Sequence, residues 1–449
     1  MTSALEKYAK SSVPRYTSYP TAPHFAAEFP ESIYRGWLAQ LDLDEPISLY
    51  LHVPFCKQMC WYCGCNMKLA SRYEPVATYL QHLLDEIDLL ANAMPGRMPV
   101  GHVHFGGGTP TVLEPDDLGA VMALIADRFR LIEGAEIAIE SDPRTLTDDM
   151  VDKIGAIGFT RASFGVQEFD PKVQAAINRI QPPEMVKHAM DRFRAVGVKK
   201  LNFDLIYGLP YQTAEDLRRT VEQCVEMRPD RVALFGYAHV PWVAKNQRMI
   251  PDESLPEPAQ RAEQARAAAD ALVKGGYVRI GIDHFALPGD TLAVAAATGE
   301  LHRNFQGYTP DASPTLIGIG ATSIGRTPSG YVQNISETGA YMRAVEAGKL
   351  PIARGHAFKG QDDLRAHVIE RIMCDGKVDL NAVGRIFGAA EDWYDGEREA
   401  IAELQKDGVL TCANGTLTLT PAGEPLARVV AAVFDTYLRN SSVRHSIAV

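Results

Sequence analysis

The amino-acid sequence predicts a mixed α/β protein. We expect a partial parallel barrel of six strand–helix units, followed by a smaller, mainly helical domain that resembles a winged helix. Two observations lead to this fold class. Short apolar runs alternate with amphipathic stretches up to about residue 240, and the chain changes character after about residue 350. Strand–helix alternation of this kind is typical of βα units around a parallel sheet.

The predicted strands and helices follow one another regularly. The apolar runs expected to form strands are Ile47–Phe55, Val100–Gly106, Glu136–Ser141, Arg161–Gln167, Lys200–Tyr207 and Arg231–His239. The amphipathic stretches between them, expected to form helices, are Ala77–Ala93, Pro115–Phe129, Pro183–Val196 and Ala214–Met227. Six such units are enough for a barrel or a partial barrel.

Alternation within the runs predicts an accessible interior. In the first run Leu49 and Leu51 share one face, while Tyr50 and His52 share the other. A filled barrel core carries bulky branched side chains on its inward face. Here one face is small or polar on several runs, which indicates a wet cavity. A sheet with one solvated face is the alternative, but helical connections on a parallel sheet disfavour it.

Composition excludes several classes of protein. The 449 residues carry a formal net charge of −11, which disfavours non-specific nucleic-acid binding. No apolar stretch approaches the ~18 residues of a membrane span, and the N-terminus lacks the apolar core of a signal peptide. We therefore expect a cytoplasmic protein. Four of the seven cysteines fall within ten residues, which is not the distribution of a disulfide framework.

Three segments are expected along the chain: 1–40 as an N-terminal segment, 41–350 with the barrel, and 351–449 as the C-terminal domain. In the last segment the predicted elements are helices at Asp362–Cys374, Leu380–Phe387 and Asp392–Asp407, a hairpin of Val409–Cys412 with Thr416–Thr420, and a final helix at Pro425–Leu438. This segment is acidic, so we expect a lid or packing module rather than a DNA-binding winged helix.

The cysteine cluster carries the strongest chemical signal. Cys56, Cys60 and Cys63 directly follow the first predicted strand, with Cys65 close behind. A 4Fe–4S cluster usually takes four cysteines, so a loop with three leaves one iron free to bind another molecule. Structural zinc would need a second cysteine pair, and a thioredoxin-like dithiol would leave two cysteines idle. We therefore interpret the cluster as the ligand set of an iron–sulfur centre.

Further polar and glycine-rich positions lie where the predicted strands end. Gly106–Pro110 follows the second strand, and a glycine run lets a ligand approach the backbone closely. Ligand-binding groups gather at the C-terminal ends of strands in barrel folds. The residues expected there are Glu140, Gln167, Asp204 and Ala238. Taken singly, a hydrogen-bonded core or loop residue is the alternative for each. Carboxylates suit ribose hydroxyls and ammonium groups, and Arg179 suits a carboxylate.

The cysteine spacing, with an aromatic residue before the third cysteine, resembles the signature of the radical S-adenosylmethionine superfamily. The similarity extends to one family, the oxygen-independent coproporphyrinogen III oxidases (dehydrogenases). The motifs that carry this resemblance are Pro14–Thr21, Cys63–Cys65, Gly106–Thr111, Gly165–Gln167, Asp204–Pro210, Tyr237–His239, His302–Tyr308 and Phe434–Leu438.

The resemblance implies a reaction and its cofactors. The free iron of the cluster would bind S-adenosylmethionine, and one electron would release a 5′-deoxyadenosyl radical. That radical would start the conversion of two propionates of coproporphyrinogen III to vinyl groups, giving protoporphyrinogen IX in haem biosynthesis. A reductant such as flavodoxin or ferredoxin and an unidentified electron acceptor would take part. A haem chaperone and another radical enzyme acting on a tetrapyrrole are the alternatives.

The resemblance also implies roles for particular segments and residues. Residues 41–350 would form the catalytic domain, and 1–40 would lie over the barrel mouth. Cys56, Cys60 and Cys63 would bind the cluster, whereas Cys65, with Tyr50, would be catalytic. The family binds two S-adenosylmethionine molecules. The first would be held by Tyr50, Gly107, Glu140 and Ile324. The second would be held by Tyr62, Gly108, Thr109, Gln167, Arg179, Asp204 and Ala238.

Overall fold

The computed structural model describes residues 7–8 and 11–438. The chain divides into two compact units. Unit 1 comprises Met1–Phe25, Gly276–Ala312 and Ala357–Val449. Unit 2 comprises Ala26–Gly275 and Ser313–His356. Within the described ranges, no helix is both long and apolar enough to cross a membrane.

The strands and helices are numbered in chain order. The strands are β1 (Ala26–Ala27), β2 (Ile47–Val53), β3 (Phe55–Cys56), β4 (Lys68–Leu69), β5 (Pro99–Gly107), β6 (Arg130–Ser141), β7 (Arg161–Gln167), β8 (Lys200–Tyr207), β9 (Arg231–Gly236), β10 (Val278–Ile280), β11 (His284–Ala286), β12 (His302–Asn304), β13 (Gly307–Thr309), β14 (Leu316–Ile319), β15 (Ile324–Thr327), β16 (Gly330–Asn334), β17 (Ile352–Ala357), β18 (Lys377–Asp379), β19 (Leu410–Ala413) and β20 (Thr416–Leu419). The α-helices are α1 (Glu31–Leu38), α2 (Glu74–Ala93), α3 (Pro115–Arg128), α4 (Asp148–Ile157), α5 (Pro171–Ala176), α6 (Pro183–Ala195), α7 (Ala214–Met227), α8 (Pro258–Lys274), α9 (Thr291–Thr298), α10 (Thr338–Glu346), α11 (Asp362–Asp375), α12 (Leu380–Ile386), α13 (Arg398–Lys406) and α14 (Ala427–Ala432).

Six parallel strands form the centre of unit 2. The order β2-β5-β6-β7-β8-β9 follows the chain, and each neighbouring pair is parallel. Helices connect these strands, as a parallel sheet requires. The predicted fold class, with six parallel strands in chain order, is therefore confirmed. Because the strands are parallel, their C-terminal ends lie at one edge of the sheet.

The two faces of these strands differ as the alternation predicts. Leu49 and Leu51 are buried, and Phe164 packs between Phe193 and Phe203 at centroid distances of 5.2 and 6.2 Å. Burying an aromatic or aliphatic side chain contributes about 1.5–3 kcal/mol. The alternate residues include the polar side chains discussed below, so the apolar face builds the core and the polar face is left for a site.

The sheet of unit 2 also extends beyond β2, which the sequence did not predict. Strand β14 pairs with β2 in parallel, and the sheet continues through β15, β16, β17 and β1. These strands are two to six residues long. Runs this short give no clear period, and glycines at Gly318 and Gly325 interrupt them further. The extension matters for the site because β15 begins at Ile324, one of the predicted site residues.

Unit 1 contains the predicted winged-helix elements, except that the helix expected at Asp392–Asp407 begins only at Arg398, after a 3₁₀ turn at Asp395–Glu397. Helices α11, α12 and α13 accompany a three-stranded sheet in the order β18-β20-β19. The predicted hairpin is confirmed as β19 and β20, joined at Asn414 and Gly415. Both turn residues have positive φ, which is the signature of the tight turn that matches the twist of a hairpin.

The final helix of unit 1 is shorter than the sequence predicts. We expected Pro425–Leu438, but α14 ends at Ala432. The buried Asp435 explains the difference, because its carboxylate accepts hydrogen bonds from the backbone nitrogens of Tyr437 and Leu438. These bonds replace helical ones and turn the chain away from the helix axis.

The N-terminal residues of unit 1 pack into its core. Tyr16 and Tyr19 are buried among the C-terminal residues, and the Tyr16 hydroxyl donates to Asp435 at 3.1 Å. The Arg428 guanidinium donates to the carbonyl oxygens of Val13 and Pro14. This segment is therefore bound tightly to the C-terminal helices, and its closing over a barrel mouth stays a prediction.

Candidate active site

The cysteine loop lies at the C-terminal edge of the parallel sheet. It starts in β3, which pairs with β4 in parallel, so the chain between them closes on itself. Cys60 is buried, Cys56 and Cys63 are partly exposed, and Cys65 is exposed. The backbone nitrogen of Trp61 donates to the carbonyl oxygen of Ile177 at 3.0 Å, which ties the loop to the chain after β7.

A second segment holds the carbonyl groups of this loop. The side-chain amide of Asn246 donates to the carbonyl oxygens of Cys60 at 3.1 Å and Cys63 at 2.8 Å. The amide of Gln247, which is buried, donates to the carbonyl oxygens of Tyr62 at 2.8 Å and Ala238 at 3.1 Å. Adjacent side chains therefore fix the path of the loop between the second and third cysteines.

The thiols of the loop have unequal acidities. Burial and the neighbouring thiols of Cys63 and Cys60 raise the pKa of Cys56 to about 12. Hydrogen bonding from Cys65 lowers the pKa of Cys63 to about 7. Two buried guanidiniums donate to the sulfur of Cys60, Arg144 at 3.1 Å and Arg179 at 3.3 Å. The surroundings thus stabilise negative charge on part of the loop.

Three cysteines on one loop are a donor set that fits an iron–sulfur cubane. Within residues 7–8 and 11–438, no three His, Cys, Asp or Glu side chains lie close enough together to bind one metal ion. A cubane is bound through a different iron by each cysteine, so its ligands need not meet at one point. Cys56, Cys60 and Cys63 lie on a single loop, close enough that the charges of Cys60 and Cys63 raise the pKa of Cys56. This closeness agrees with that arrangement.

The glycine loop closes tightly on the start of the cysteine loop. A Cβ on Gly108 would lie 2.4 Å from the carbonyl oxygen of Phe55, and Gly107 has a φ of +120°. The backbone nitrogens of Gly108 and Thr109 donate to the carbonyl oxygens of Val53 and Phe55, each at 2.9 Å. Only glycine permits this approach, which places the two loops side by side.

Tyr50 and Glu140 face one another across Gly106. A Cβ on Gly106 would lie 2.7 Å from Glu140 Oε1 and 3.0 Å from the Tyr50 hydroxyl. Glu140 Oε1 also bonds His104 Nε2 at 3.0 Å, and the Tyr50 ring stacks on that of His104. Burial and the charge of Glu140 raise the pKa of Tyr50, so its hydroxyl stays protonated at neutral pH. Tyr50, His104 and Glu140 thus form a first polar group around Gly106.

Arg179 is the centre of a second polar group. Its Nη2 donates to the carbonyl oxygen of Gly165 at 2.5 Å, and its guanidinium pairs with Asp142. A Cβ on Gly165 would lie 2.7 Å from Gln167 Nε2. Burial alone would raise the pKa of Asp142, but Arg179 and Arg144 lower it below its usual value. Arg179 Nε is buried without a hydrogen-bond partner among the described residues, which leaves a donor for a ligand.

Asp204 adjoins both groups. Asp204 on β8 pairs in register with Gly165 on β7, and its carboxyl lies close enough to Glu140 for their charges to interact. Burial and that charge raise the pKa of Asp204 to about 7. A cationic ligand would reverse this effect, since it favours the charged carboxylate.

The structure also places the remaining predicted residues at this edge of the sheet. Thr109 is buried, and its hydroxyl accepts from the backbone nitrogen of Asp142 at 3.1 Å. Tyr62 packs near Tyr237, close enough to Arg179 for their charges to interact. Ile324 lies against Gly318, the register partner of Tyr50.

Several residues of this site were missed by the sequence analysis. His104 lies on the polar face of β5, and that alternation could have signalled it. Asp142 and Arg144 follow the end of β6, a position that is itself a signal in parallel sheets. Asn246 and Gln247 lie in a short 3₁₀ turn with no periodicity, so nothing local to the sequence predicts their contacts.

Comparisons with known proteins place this fold and site in one class. Residues 50–224 match the Radical SAM superfamily. A relative from Bradyrhizobium diazoefficiens, called oxygen-independent coproporphyrinogen III oxidase, is 46% identical over 98% of each chain. A relative of the same name from Helicobacter pylori is 39% identical over 98% of each chain. The solved structure of coproporphyrinogen III oxidase from Escherichia coli, described as a radical SAM enzyme, superposes with a TM-score of 0.91 at 36% identity, covering 97% of this chain and 98% of the other.

The protein is therefore a radical S-adenosylmethionine enzyme, a class that uses a 4Fe–4S cluster and S-adenosylmethionine. Within that class, the chain belongs to the oxygen-independent coproporphyrinogen III oxidase family. The similarity extends beyond residues 50–224, because it covers 98% of the chain and therefore includes both units.

Proposed function

We propose that this protein converts two propionate side chains of coproporphyrinogen III to vinyl groups without oxygen, giving protoporphyrinogen IX in haem biosynthesis in the cytoplasm. The end-to-end similarity to relatives named for this activity carries the proposal. The convergence of the cysteine loop, the glycine loop and polar strand ends at one sheet edge supports it.

Cys56, Cys60 and Cys63 would hold the cluster. When bound, the cluster and S-adenosylmethionine supply a carbon-centred radical that can remove a hydrogen atom from an unactivated carbon. The role of the protein is to bind, orient and exclude water. Arg144 and Arg179 neutralise negative charge at Cys60, and Asn246 holds the loop carbonyls in place.

The first polar group suits the cofactor molecule bound to the cluster. Tyr50, Gly107, Glu140 and Ile324 would hold it. Gly107 exposes backbone without a side chain, while Glu140 offers a carboxylate for an ammonium or a ribose hydroxyl. Its bond to His104 orients that carboxylate and leaves the second oxygen for a ligand. This role is supported by the closeness of Tyr50 Oη and Glu140 Oε1, which both lie within 3.0 Å of the position that a Cβ on Gly106 would take.

The second polar group suits another molecule of S-adenosylmethionine. It would be held by Tyr62, Gly108, Thr109, Gln167, Arg179, Asp204 and Ala238. The Arg179 guanidinium suits a carboxylate, and its Nε, which has no hydrogen-bond partner among the described residues, is available to donate to that ligand. Asp204 suits a ribose hydroxyl, to which a carboxyl can hydrogen-bond. It also suits a cation, because a positive charge nearby would lower the pKa of Asp204 and favour its ionised form. The group is centred on Gly165 rather than Gly106, which separates it from the first.

Tyr50 and Cys65 are the proposed catalytic residues near the reacting substrate. They lie close enough that charge on Cys65 raises the pKa of Tyr50. The Tyr50 hydroxyl bonds His52 Nδ1 at 3.1 Å, and burial lowers the pKa of His52. Tyr50 is therefore a neutral hydrogen-bond donor at physiological pH, able to orient a propionate carboxylate of the substrate before the reaction.

Each decarboxylation has a simple balance. The propionate loses one hydrogen atom from its β-carbon, then the carbon–carbon bond to the carboxylate breaks and carbon dioxide leaves. One electron remains and must pass to an acceptor, whose chemical class is a one-electron oxidant. A separate one-electron donor, such as flavodoxin or ferredoxin, must reduce the cluster before each turn.

Anaerobic turnover of the reconstituted protein tests this function. The mixture contains S-adenosylmethionine, coproporphyrinogen III, a reductant and cell extract as a source of acceptor, and products are separated and weighed by mass spectrometry. We expect protoporphyrinogen together with 5′-deoxyadenosine. 5′-Deoxyadenosine without decarboxylation would contradict the proposed substrate. Stable haem binding without cofactor cleavage would favour a haem chaperone instead.

A further inference from the structure

Strand β7 ends in an unusual turn at Gln167, one of the predicted site residues. The backbone nitrogen of Glu168 donates to the carbonyl oxygen of Val166 at 2.8 Å, which closes a three-residue γ-turn around Gln167. Gln167 has a φ of +67°, in the left-handed region that residues other than glycine rarely adopt. A γ-turn of this hand is strained, and such strain persists only where the surrounding structure enforces it.

The turn determines the face of the sheet on which the Gln167 side chain lies. Gly165 pairs in register with Asp204 on β8. Gln167 pairs with the next residue, Leu205, so β7 carries one extra residue here. Residues paired in register share a face, and Leu205 is buried in the apolar core. The Gln167 amide nevertheless lies on the polar face, because its Nε2 is 2.7 Å from the position that a Cβ on Gly165 would take. The left-handed turn therefore directs this side chain into the second polar group.

One buried amide holds the backbone of this turn. Gln181 is fully buried, and its Nε2 donates to the carbonyl oxygens of Gly165 at 3.2 Å and Val166 at 3.3 Å. The Val166 oxygen also accepts the hydrogen bond that closes the γ-turn, so the amide fixes the orientation of that oxygen. Only this orientation of the amide fits, because the reverse would place its oxygen against two other acceptors.

Core packing alone does not account for a glutamine at position 181. Its Oε1 is buried and has no hydrogen-bond partner among the described residues. A buried acceptor without a partner is destabilising, so an apolar side chain of similar size would suit a packing role better. The amide is instead accounted for by its nitrogen, which binds the two carbonyl groups at the turn.

A second buried amide ties Gln181 to the residue that follows the turn. Gln174 Oε1 accepts from the backbone nitrogen of Gln181 at 2.9 Å. Gln174 Nε2 donates to the carbonyl oxygens of Gln181 at 2.7 Å and Glu168 at 2.8 Å. Gln181 lies in the segment between α5 and α6, which also carries Arg179. One segment thus supplies both the guanidinium of the second polar group and the amide that supports the adjacent turn.

We propose that Gln181 is a positioning residue for the second S-adenosylmethionine site: its amide holds the γ-turn that directs Gln167 toward that cofactor molecule. The inference rests on the proposed function, because it requires that the second polar group binds S-adenosylmethionine. Without the amide, Gln167 relaxes toward an ordinary extended conformation, which turns its side chain toward the face of Leu205. The first polar group, around Gly106, does not depend on this turn.

The test replaces buried amides by methionine, a side chain of similar length without a hydrogen-bond donor. Gln181→Met removes the amide at the turn. Gln264→Met is the matched control, because Gln264 is also buried and its amide bonds the backbone of Gly208 and Gln212, outside the turn. Equilibrium dialysis of the reconstituted holoprotein with labelled S-adenosylmethionine counts the bound molecules and gives their affinities. Urea unfolding of each variant measures its stability.

We expect the wild-type holoprotein to bind two molecules. In Gln181→Met the affinity for one of them should fall about tenfold, while the other affinity is unchanged. Gln264→Met should keep both affinities, even where its stability falls as much as that of Gln181→Met. In turnover, the KM of Gln181→Met for S-adenosylmethionine should rise by a similar factor, with kcat unchanged at saturation.

A double-mutant cycle distinguishes positioning from packing. Glycine adopts a positive φ freely, so the turn in Gln167→Gly needs no support, and this variant lacks the side chain that the turn directs. Adding Gln181→Met to Gln167→Gly should therefore cause no further loss of affinity. A further loss would show that Gln181 acts by another route and would overturn the proposal.

Two unchanged affinities in Gln181→Met would also overturn the role of Gln181. Should that variant fail to fold, Gln174→Met decides the question, because it removes the amide that holds Gln181. Gln174→Met should weaken binding of the same cofactor molecule, and unchanged binding would contradict the proposal. Failure of the proposed second site would appear differently: the wild-type holoprotein would bind a single molecule, and the inference would fall with that site.

Discussion

The α-carbon of Gly108 lies so close to Phe55 that a Cβ there would be 2.4 Å from the Phe55 carbonyl oxygen. The glycine loop and the cysteine loop are bonded at this point, since the backbone nitrogen of Thr109 donates to the same oxygen at 2.9 Å. The spacing between the cofactor-binding backbone and the cluster ligands therefore depends on one missing side chain.

Replacing that glycine should separate the two loops. We expect Gly108→Ala to lower the free energy of unfolding by about 1–3 kcal/mol and to reduce affinity for S-adenosylmethionine, because backbone must move to make room. Gly289→Ala is the matched control, since a Cβ there meets nothing within 4 Å and Gly289 lies outside both loops. Urea unfolding and equilibrium binding measure both effects. Equal behaviour of the two variants would show that the contact is unimportant.

The buried Glu86 should make stability depend on pH. Its carboxylate accepts from the backbone nitrogen of Gly320, from Asn334 and from the Tyr341 hydroxyl, yet burial raises the pKa of Glu86 to about 7. The folded state holds this proton more tightly than the unfolded chain. Its stabilising contribution is therefore complete below the unfolded pKa of about 4.5 and is lost as the pH rises through about 7.

Glu86→Gln removes this titration. The variant should be less stable than wild type in acid, and the gap in unfolding free energy should shrink by about 2–3 kcal/mol between about pH 5 and about pH 8. Urea unfolding at several pH values measures the gap. Glu74→Gln, exposed at the start of the same helix, is the control. A gap that stays constant with pH would contradict the assignment.

Arg428 should restrain the N-terminal segment. Its Nε donates to the carbonyl oxygen of Pro14 at 2.9 Å, next to the exposed Arg15. In Arg428→Met we expect trypsin to cleave after Arg15 about tenfold faster or more, because bonds from a charged donor contribute about 1.5–3 kcal/mol. Mass spectrometry of timed digests measures this rate, with the exposed Arg385→Met as control. Unchanged cleavage would mean that other contacts hold the segment.

Cys63 and Cys65 should differ in their need for the cluster. After anaerobic reconstitution, Cys63→Ala should lose the cluster, whereas Cys65→Ala should keep about four irons per chain. The backbone nitrogen of Cys65 also donates to the Cys63 sulfur at 3.4 Å, and alanine retains this bond while it removes the side-chain hydrogen bond. Iron and sulfide analysis with electron paramagnetic resonance distinguishes the variants. Equal loss in both would make Cys65 a ligand.

The sequence predicted the parts of this protein that have regular periods or fixed spacings. The six parallel strands follow from alternation, the cysteine loop follows from spacing, and the β19–β20 hairpin follows from its Asn-Gly turn. Strands β14 to β17 were missed because short, glycine-interrupted runs carry little period. The final helix was predicted too long because its apolar pattern continues past Asp435, where side-chain bonds replace helical ones.

The sequence predicted where the candidate site residues lie, but not the residues that support them. The predicted residues do gather at one edge, because parallel strands bring their C-terminal ends together. The contacts of Asn246 with the loop carbonyls join positions 186 and 183 residues apart. Pairing over such a distance depends on tertiary structure, and a single sequence does not encode it locally.

One measurement tests the central claim most directly: the fate of deuterium placed on the propionate β-carbons of coproporphyrinogen III during anaerobic turnover. If this chain directs hydrogen removal from that carbon, deuterium should appear in 5′-deoxyadenosine while protoporphyrinogen forms. Protoporphyrinogen formed with no deuterium in 5′-deoxyadenosine, or 5′-deoxyadenosine formed with every propionate intact, would contradict the account.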